Sequence, residues 1–161
     1  MATKRIRIGM GEGVLAGGRH VVSSAGIGSC VVVTLYDHKR QTGGMAHVML
    51  PDSAAVPEPV GSFQCADTAI KALVDGLRGQ GSLVQDLVAK MVGGARMFSA
   101  YDNGNTGIGS QNIRSVKQIL KREQIPLVGW DIAGHHGRSV EFHLASGRLV
   151  VTAIGIKDRA F

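Results

Sequence analysis

A cysteine that closes a glycine-rich bend, and a histidine on a nearby apolar segment, are the residues of this chain best suited to covalent chemistry. The cysteine is Cys30, the last residue of Gly26–Ile27–Gly28–Ser29–Cys30. Two glycines allow a tight backbone bend that leaves successive N–H groups facing one space. A thiol placed there could attack a carbonyl carbon while the amides of the bend stabilise the oxyanion. The same pentapeptide also suits a plain turn followed by a packed thiol, because free cysteine behaves as a small hydrophobe. A dinucleotide fingerprint does not fit Gly26-x-Gly28: it must open a helix, whereas Val31–Val32–Val33–Thr34–Leu35 continues as strand.

The histidine is His47, within Met45–Ala46–His47–Val48–Met49–Leu50. If this strand and the one after Cys30 form a hairpin around Asp37–Thr42, paired residue numbers sum to about 79, which sets His47 near Val32. A diagonal contact, or a shift of two residues, brings the imidazole to Cys30. A lone histidine among apolar neighbours is also at home in a core, but beside a thiol it can act as its base. Such a pair needs a third group to orient the ring. Ser24, just before the glycine bend, and Asp52, just after the histidine strand, are both candidates. Metal binding is the competing use of these side chains. His20, His38, His47, His135, His136 and His143 join two cysteines, yet no pair has a familiar zinc-ligand spacing.

The elements that must position these groups are mostly strands. Arg5–Gly9, His20–Ser24, Val31–Tyr36, Gly44–Leu50, Leu87–Val92, Leu127–Ile132, Ser139–Leu144 and Arg148–Ile154 carry the β-branched and alternating patterns of strands. Three prolines make Pro51–Pro59 a loop. Asp67–Leu77 is predicted as a helix, with Ile70, Leu73, Val74 and Leu77 on one face and Asp67 as its N-cap. A second helix is predicted over Ser110–Glu123, with Pro126 beyond its end. Eight strands and two helices in this order indicate an α+β layered fold rather than a doubly wound parallel sheet.

The bulk properties narrow the class further. With 161 residues the expectation is one domain spanning 1–161. No stretch of eighteen apolar residues is present, and the first eighteen residues lack the apolar core of a secretory signal, so a cytoplasmic protein is expected. Cys30 and Cys65 are too few for a disulfide scaffold and should be free thiols. The net charge of +6 and pI near 9.8 point to an acidic partner. Nucleic acid is disfavoured, because the basic residues are scattered without aromatic residues between them.

Six segments, in order along nearly the whole chain, resemble the CheD family of chemoreceptor glutamine deamidases. They are Gly26–Val31, Gly44–Pro51, Ala66–Ala69, Gly93–Phe98, Ile108–Asn112 and Gly137–Val140. The resemblance implies a three-layer α/β/β sandwich related to the catalytic domain of toxins such as cytotoxic necrotizing factor. It implies Cys30 and His47 as catalytic residues, with Ser24 where the family usually has threonine. Amides of the bend at Gly28 and Ser29 would then hold the oxyanion. The implied reaction is hydrolysis of receptor glutamine side chains to glutamate, with no cofactor or metal. The implied partners are methyl-accepting chemotaxis receptors and the CheC phosphatase. A binding module that engages CheC is the alternative in another class, and a related cysteine hydrolase with another amide substrate, methyl esters on receptor glutamates included, is a third.

Overall fold

The computed structural model describes residues 2–58, 61–97 and 107–161. Pro59 of the expected loop and Phe98 of the fourth resembling segment lie outside the described residues. Among these, ten strands and two α-helices occur. In chain order they are β1 (Lys4–Arg7), β2 (Gly13–Gly17), β3 (His20–Ile27), β4 (Val31–Asp37), β5 (Thr42–Val48), α1 (Ala66–Gly79), β6 (Leu87–Gly93), α2 (Ile108–Arg122), β7 (Leu127–Ile132), β8 (Arg138–His143), β9 (Arg148–Ala153) and β10 (Ile156–Ala160).

The strands form two five-stranded sheets, one ordered β1-β3-β8-β9-β10 and the other β2-β5-β4-β6-β7. Both helices pack on the second sheet, and the first sheet covers its opposite face. The fold is therefore α+β, in layers of helix, sheet and sheet. Strand β4 lies in the middle and is buried on both faces, which explains an apolar run interrupted only by Thr34 between Val31 and Tyr36. Val31, Val33 and Leu35 meet Ile70, Leu73, Leu77, Val116 and Leu120 on the helix side. Val32 and Tyr36 meet Val22, Val140, Phe142 and Leu149 of the other sheet. Ile70, Leu73 and Leu77 have no exposed surface. Each such side chain contributes about 1.5–3 kcal/mol by leaving water.

The expected elements are present, most with ends moved by one or a few residues, and two strands are additional. Strand β2 was hidden by its glycines. A side chain at Gly13 would collide with the Phe63 ring, so the residue that spoils the strand pattern is demanded by packing. Strand β10 is exposed at every position and is held by pairing with β9 through a bulge, so it has no apolar alternation to detect. The helix cap also differs from expectation. Cys65 occupies the N-cap position of α1 without a side-chain cap, and Asp67 lies in the first turn. Its carboxylate instead accepts from the Ser53 backbone N–H at 3.1 Å and the Ser53 hydroxyl at 2.5 Å, pinning the loop after β5 to the helix.

Candidate active site

The chain crosses from one sheet to the other between β3 and β4, and the crossing is the three-residue link Gly28–Ser29–Cys30. Its entry is bent by Gly26, which has φ +65° at the bulge where the β3–β8 register shifts. Its carbonyls are tied down on the far side. Ala95 N–H donates to Gly28 O at 2.9 Å, and Gly94 N–H donates to Cys30 O at 2.7 Å. The Asn112 amide donates to Ser29 O at 3.0 Å.

Gly93 lies directly against this link. Its φ is +119°, and a Cβ there would run into the Cys30 carbonyl and the Ile27 side chain. Gly93→Ala should therefore cost at least about 2 kcal/mol, seen as a lowered midpoint in urea unfolding. A midpoint equal to wild type would show that the Cys30 backbone yields easily.

The β4–β5 hairpin has the expected register: Val31 pairs with Val48 and Val32 with His47. Alternation sends Val31 toward the helices and Val32 toward the other sheet, so His47 faces the gap between the sheets. Cys30 directly precedes β4, and continuing the register by one residue would place it diagonally from His47. From the opposite sheet, Ser24 of β3 meets the ring, with its Oγ 2.8 Å from His47 Nδ1. Asp52, the rival orienter, is elsewhere: its carboxylate caps the short 3-10 turn Ser53–Ala55 by accepting from Ala54 N–H at 2.8 Å.

The hydrogen bonding at Ser24 decides the tautomer of His47. Ser24 Oγ donates its one proton to the Ile8 carbonyl at 2.8 Å. Its contact with Nδ1 must then be accepted by the hydroxyl, so the neutral imidazole carries its proton on Nδ1. The bare nitrogen is Nε2, which is buried and without a hydrogen-bond partner. His47 is only 1% exposed, and burial holds its pKa below the ordinary 6.5. Burial pushes the Cys30 thiol above its ordinary 9.0, opposed in part by the Cys30 N–H itself. The resting pair is thus a neutral thiol and a neutral imidazole, not the charged pair that free thiolate chemistry would need.

The other residues named from sequence are dispersed. Cys65 is buried at the head of α1, with its pKa raised by burial and then by Asp67 and Asp52. His20 sits 2.6 Å from Gly17 O, His38 stacks edge-on against Tyr36, His135 lies 3.2 Å from Arg96 O, and His143 lies 3.5 Å from Glu141. Among the described residues no cluster of three or more His, Cys, Asp or Glu could hold a metal. No helix among them is long and apolar enough to cross a membrane.

The family model described as CheD chemotactic sensory transduction matches residues 49–153. Similarity to curated proteins extends over nearly the whole chain. A probable chemoreceptor glutamine deamidase CheD of Caldanaerobacter subterraneus subsp. tengcongensis is 35% identical over 156 residues, 96% of this chain and 96% of that one. The chain belongs to the CheD family. The chemoreceptor glutamine deamidase CheD of Thermotoga maritima is 40% identical over 148 residues, covering 92% of this chain and 91% of its own length. A probable deamidase of Clostridium acetobutylicum is 36% identical over 97% of this chain and 95% of its own length. Among solved structures, the hypothetical protein YfiH of Bacillus licheniformis superposes with a TM-score of 0.46 at 16% identity, over 76% of this chain and 49% of that one.

The CheD family model begins after His47, so Ser24, Cys30 and His47 fall within the region spanned only by the full-length relatives. Besides Asn112, two supports of this region had no role assigned to them from the sequence. One is the Ile8 carbonyl, which settles the direction of the Ser24 hydroxyl and carries no side-chain signal at all. The other is Arg138, whose backbone pairs with Ile27 and whose buried guanidinium donates to Asp131 at 3.1 Å. That ion pair joins β8 of one sheet to β7 of the other at the end of the sandwich where the chain crosses over.

Proposed function

We propose that this CheD family member hydrolyses glutamine side chains of chemotaxis receptors to glutamate, with Cys30 as nucleophile, His47 as base and Ser24 as the orienting residue. The observation that carries this is the bare, buried Nε2 of His47, left as an acceptor by the hydrogen bond that the ring gives to Ser24. The names of the relatives supply the substrate class.

The steps follow from the resting protonation states. His47 Nε2 takes the Cys30 proton as Sγ attacks the amide carbon of the glutamine side chain. The negative charge on the amide oxygen is held by N–H groups of the Gly28–Ser29–Cys30 link. The proton on Nε2 passes to the leaving nitrogen, ammonia departs and a thioester remains. Water, deprotonated by the same nitrogen, then attacks the thioester carbon, and the thiol leaves with the proton. The net change is glutamine plus water to glutamate plus ammonium, the ammonia taking up the proton of the new carboxyl group, with no cofactor and no metal. We take residues 1–161 as one deamidase domain acting in the cytoplasm, with the layering shared by toxins of the cytotoxic necrotizing factor type. CheC is the proposed second partner, competing with receptors for the same surface, and nucleic acid has no role.

The test is mass mapping of receptor cytoplasmic fragments incubated with the purified protein. Particular glutamines should gain the amide-to-acid mass shift, and excess CheC should suppress it. If no glutamine shifts while CheC phosphatase activity rises on adding this protein, the protein is an adaptor instead. The +6 charge should also show in the kinetics. Long-range attraction to acidic receptor helices is screened beyond about 8 Å at physiological salt. The rate at limiting substrate should fall as salt rises, with maximal turnover less affected. A salt-independent rate would make the charge incidental.

A further inference from the structure

Asn112 has no exposed surface, and its side-chain amide reaches two carbonyls from opposite halves of the proposed site. Nδ2 donates to Ser29 O at 3.0 Å and to Met49 O at 3.1 Å. The first carbonyl belongs to the residue before the nucleophile, and the second lies two residues after His47. Two carbonyl acceptors require the NH2 group at this end of the side chain, which settles the amide orientation. Oδ1 is left buried without a partner among the described residues. An unpaired buried acceptor is costly, so packing alone does not explain asparagine here.

We propose that Asn112 is a positioning residue for the thiol chemistry, orienting the Ser29–Cys30 peptide and holding it against the strand that carries His47. The geometry of one peptide unit does most of this. The chain has no cis peptide bonds among its described residues, so Ser29 C=O and Cys30 N–H point in opposite directions. Drawing the carbonyl toward α2 turns the N–H away from the helix, toward the thiol, where an oxyanion would form. The influence of the Cys30 N–H on its own thiol agrees with that direction. The second bond, to Met49 O, makes the same side chain a spacer between the crossing link and the end of β5.

The inference rests on the cysteine mechanism proposed above, and its test separates the two. In a Cys65→Ala background, Asn112→Ala and Asn112→Asp are compared with the parent by the rate of iodoacetamide alkylation of Cys30 across pH, and by kcat and KM on receptor fragments. Asp keeps the volume but turns a carboxylate toward two carbonyls. Both variants should lose about a hundredfold in kcat, the scale of one oxyanion donor, with KM changed little. Their alkylation profiles should shift to higher pH, because the thiolate loses the oriented N–H. Ser115→Ala is the structural control. It removes the 2.6 Å bond from the same helix to Pro51 O, three residues past the end of β5, and should lower stability without moving kcat or the alkylation profile. Alkylation profiles and kcat equal to the parent in both Asn112 variants would overturn the proposal. So would an equal kcat loss in Ser115→Ala. If the wild type deamidates nothing, the deamidase mechanism fails, and the alkylation profiles still decide the role of Asn112.

Discussion

Cys30→Ala should abolish receptor deamidation, a loss of at least about a thousandfold, because no other group on the crossing link can form the thioester. The fold should survive. Cys30 lies at the junction of the two sheets with 8% of its surface exposed, and its backbone contacts to Gly94 and Gly93 do not involve the thiol. Cys65→Ala is the matched comparison. That residue is equally buried, at 5%, but caps α1 through its backbone position and meets none of the proposed machinery. Its loss should leave activity near wild type and cost about 1 kcal/mol or less in stability, from a small unfilled space. Ammonia release and peptide mass mapping read the activity, and thermal unfolding reads the fold. Equal losses of activity in the two variants, at unchanged stability, would remove Cys30 from the nucleophile's role.

His47→Asn should be nearly as severe, at about a thousandfold or more, since a thiol held above its ordinary pKa ionises only with a base beside it. Ser24→Ala should be milder, at roughly ten- to a hundredfold, because it leaves Nδ1–H and the Ile8 carbonyl unpartnered but keeps the ring. Ser24→Thr should stay active, since the hydroxyl is retained. A fully active Ser24→Ala would break the tautomer assignment. The pH dependence follows from the direction of the shift. Burial lowers the folded-state pKa of His47 below 6.5, so the neutral form, the one that serves as base in the proposed mechanism, predominates above that value. Activity should decline only as pH falls below 6.5, through the lowered pKa. Stability responds in the same window. The unfolded chain takes up the proton first, so stability is full above 6.5 and falls as pH drops toward the folded-state pKa. His47→Asn should flatten that part of the curve of Tm against pH. An unchanged slope would place the titration on another group.

Ser24, Cys30 and His47 were recognisable as residue types, and the hairpin register that sets His47 opposite Val32 followed from the short turn between two apolar runs. Local chemistry was enough there, because a turn of few residues leaves little freedom in pairing. The helices α1 and α2 were legible for a related reason: their apolar residues repeat at the helical period wherever one face meets a sheet. Strands β2 and β10 lack any such local signature, being held by ladder pairing and by what lies across from them. The choice between Ser24 and Asp52 was likewise open in the sequence. Both are close to the cysteine–histidine pair along the chain, and only the stacking of two sheets brings β3 over β5 while turning Asp52 into a cap. Asn112 and Ile8 make the same point more strongly. They lie 82 residues after and 22 residues before Cys30 in the numbering, and their contributions are a side-chain amide and a backbone carbonyl delivered by packing. Residue chemistry is written position by position, but the direction of a hydrogen bond depends on which groups the tertiary fold leaves facing one another.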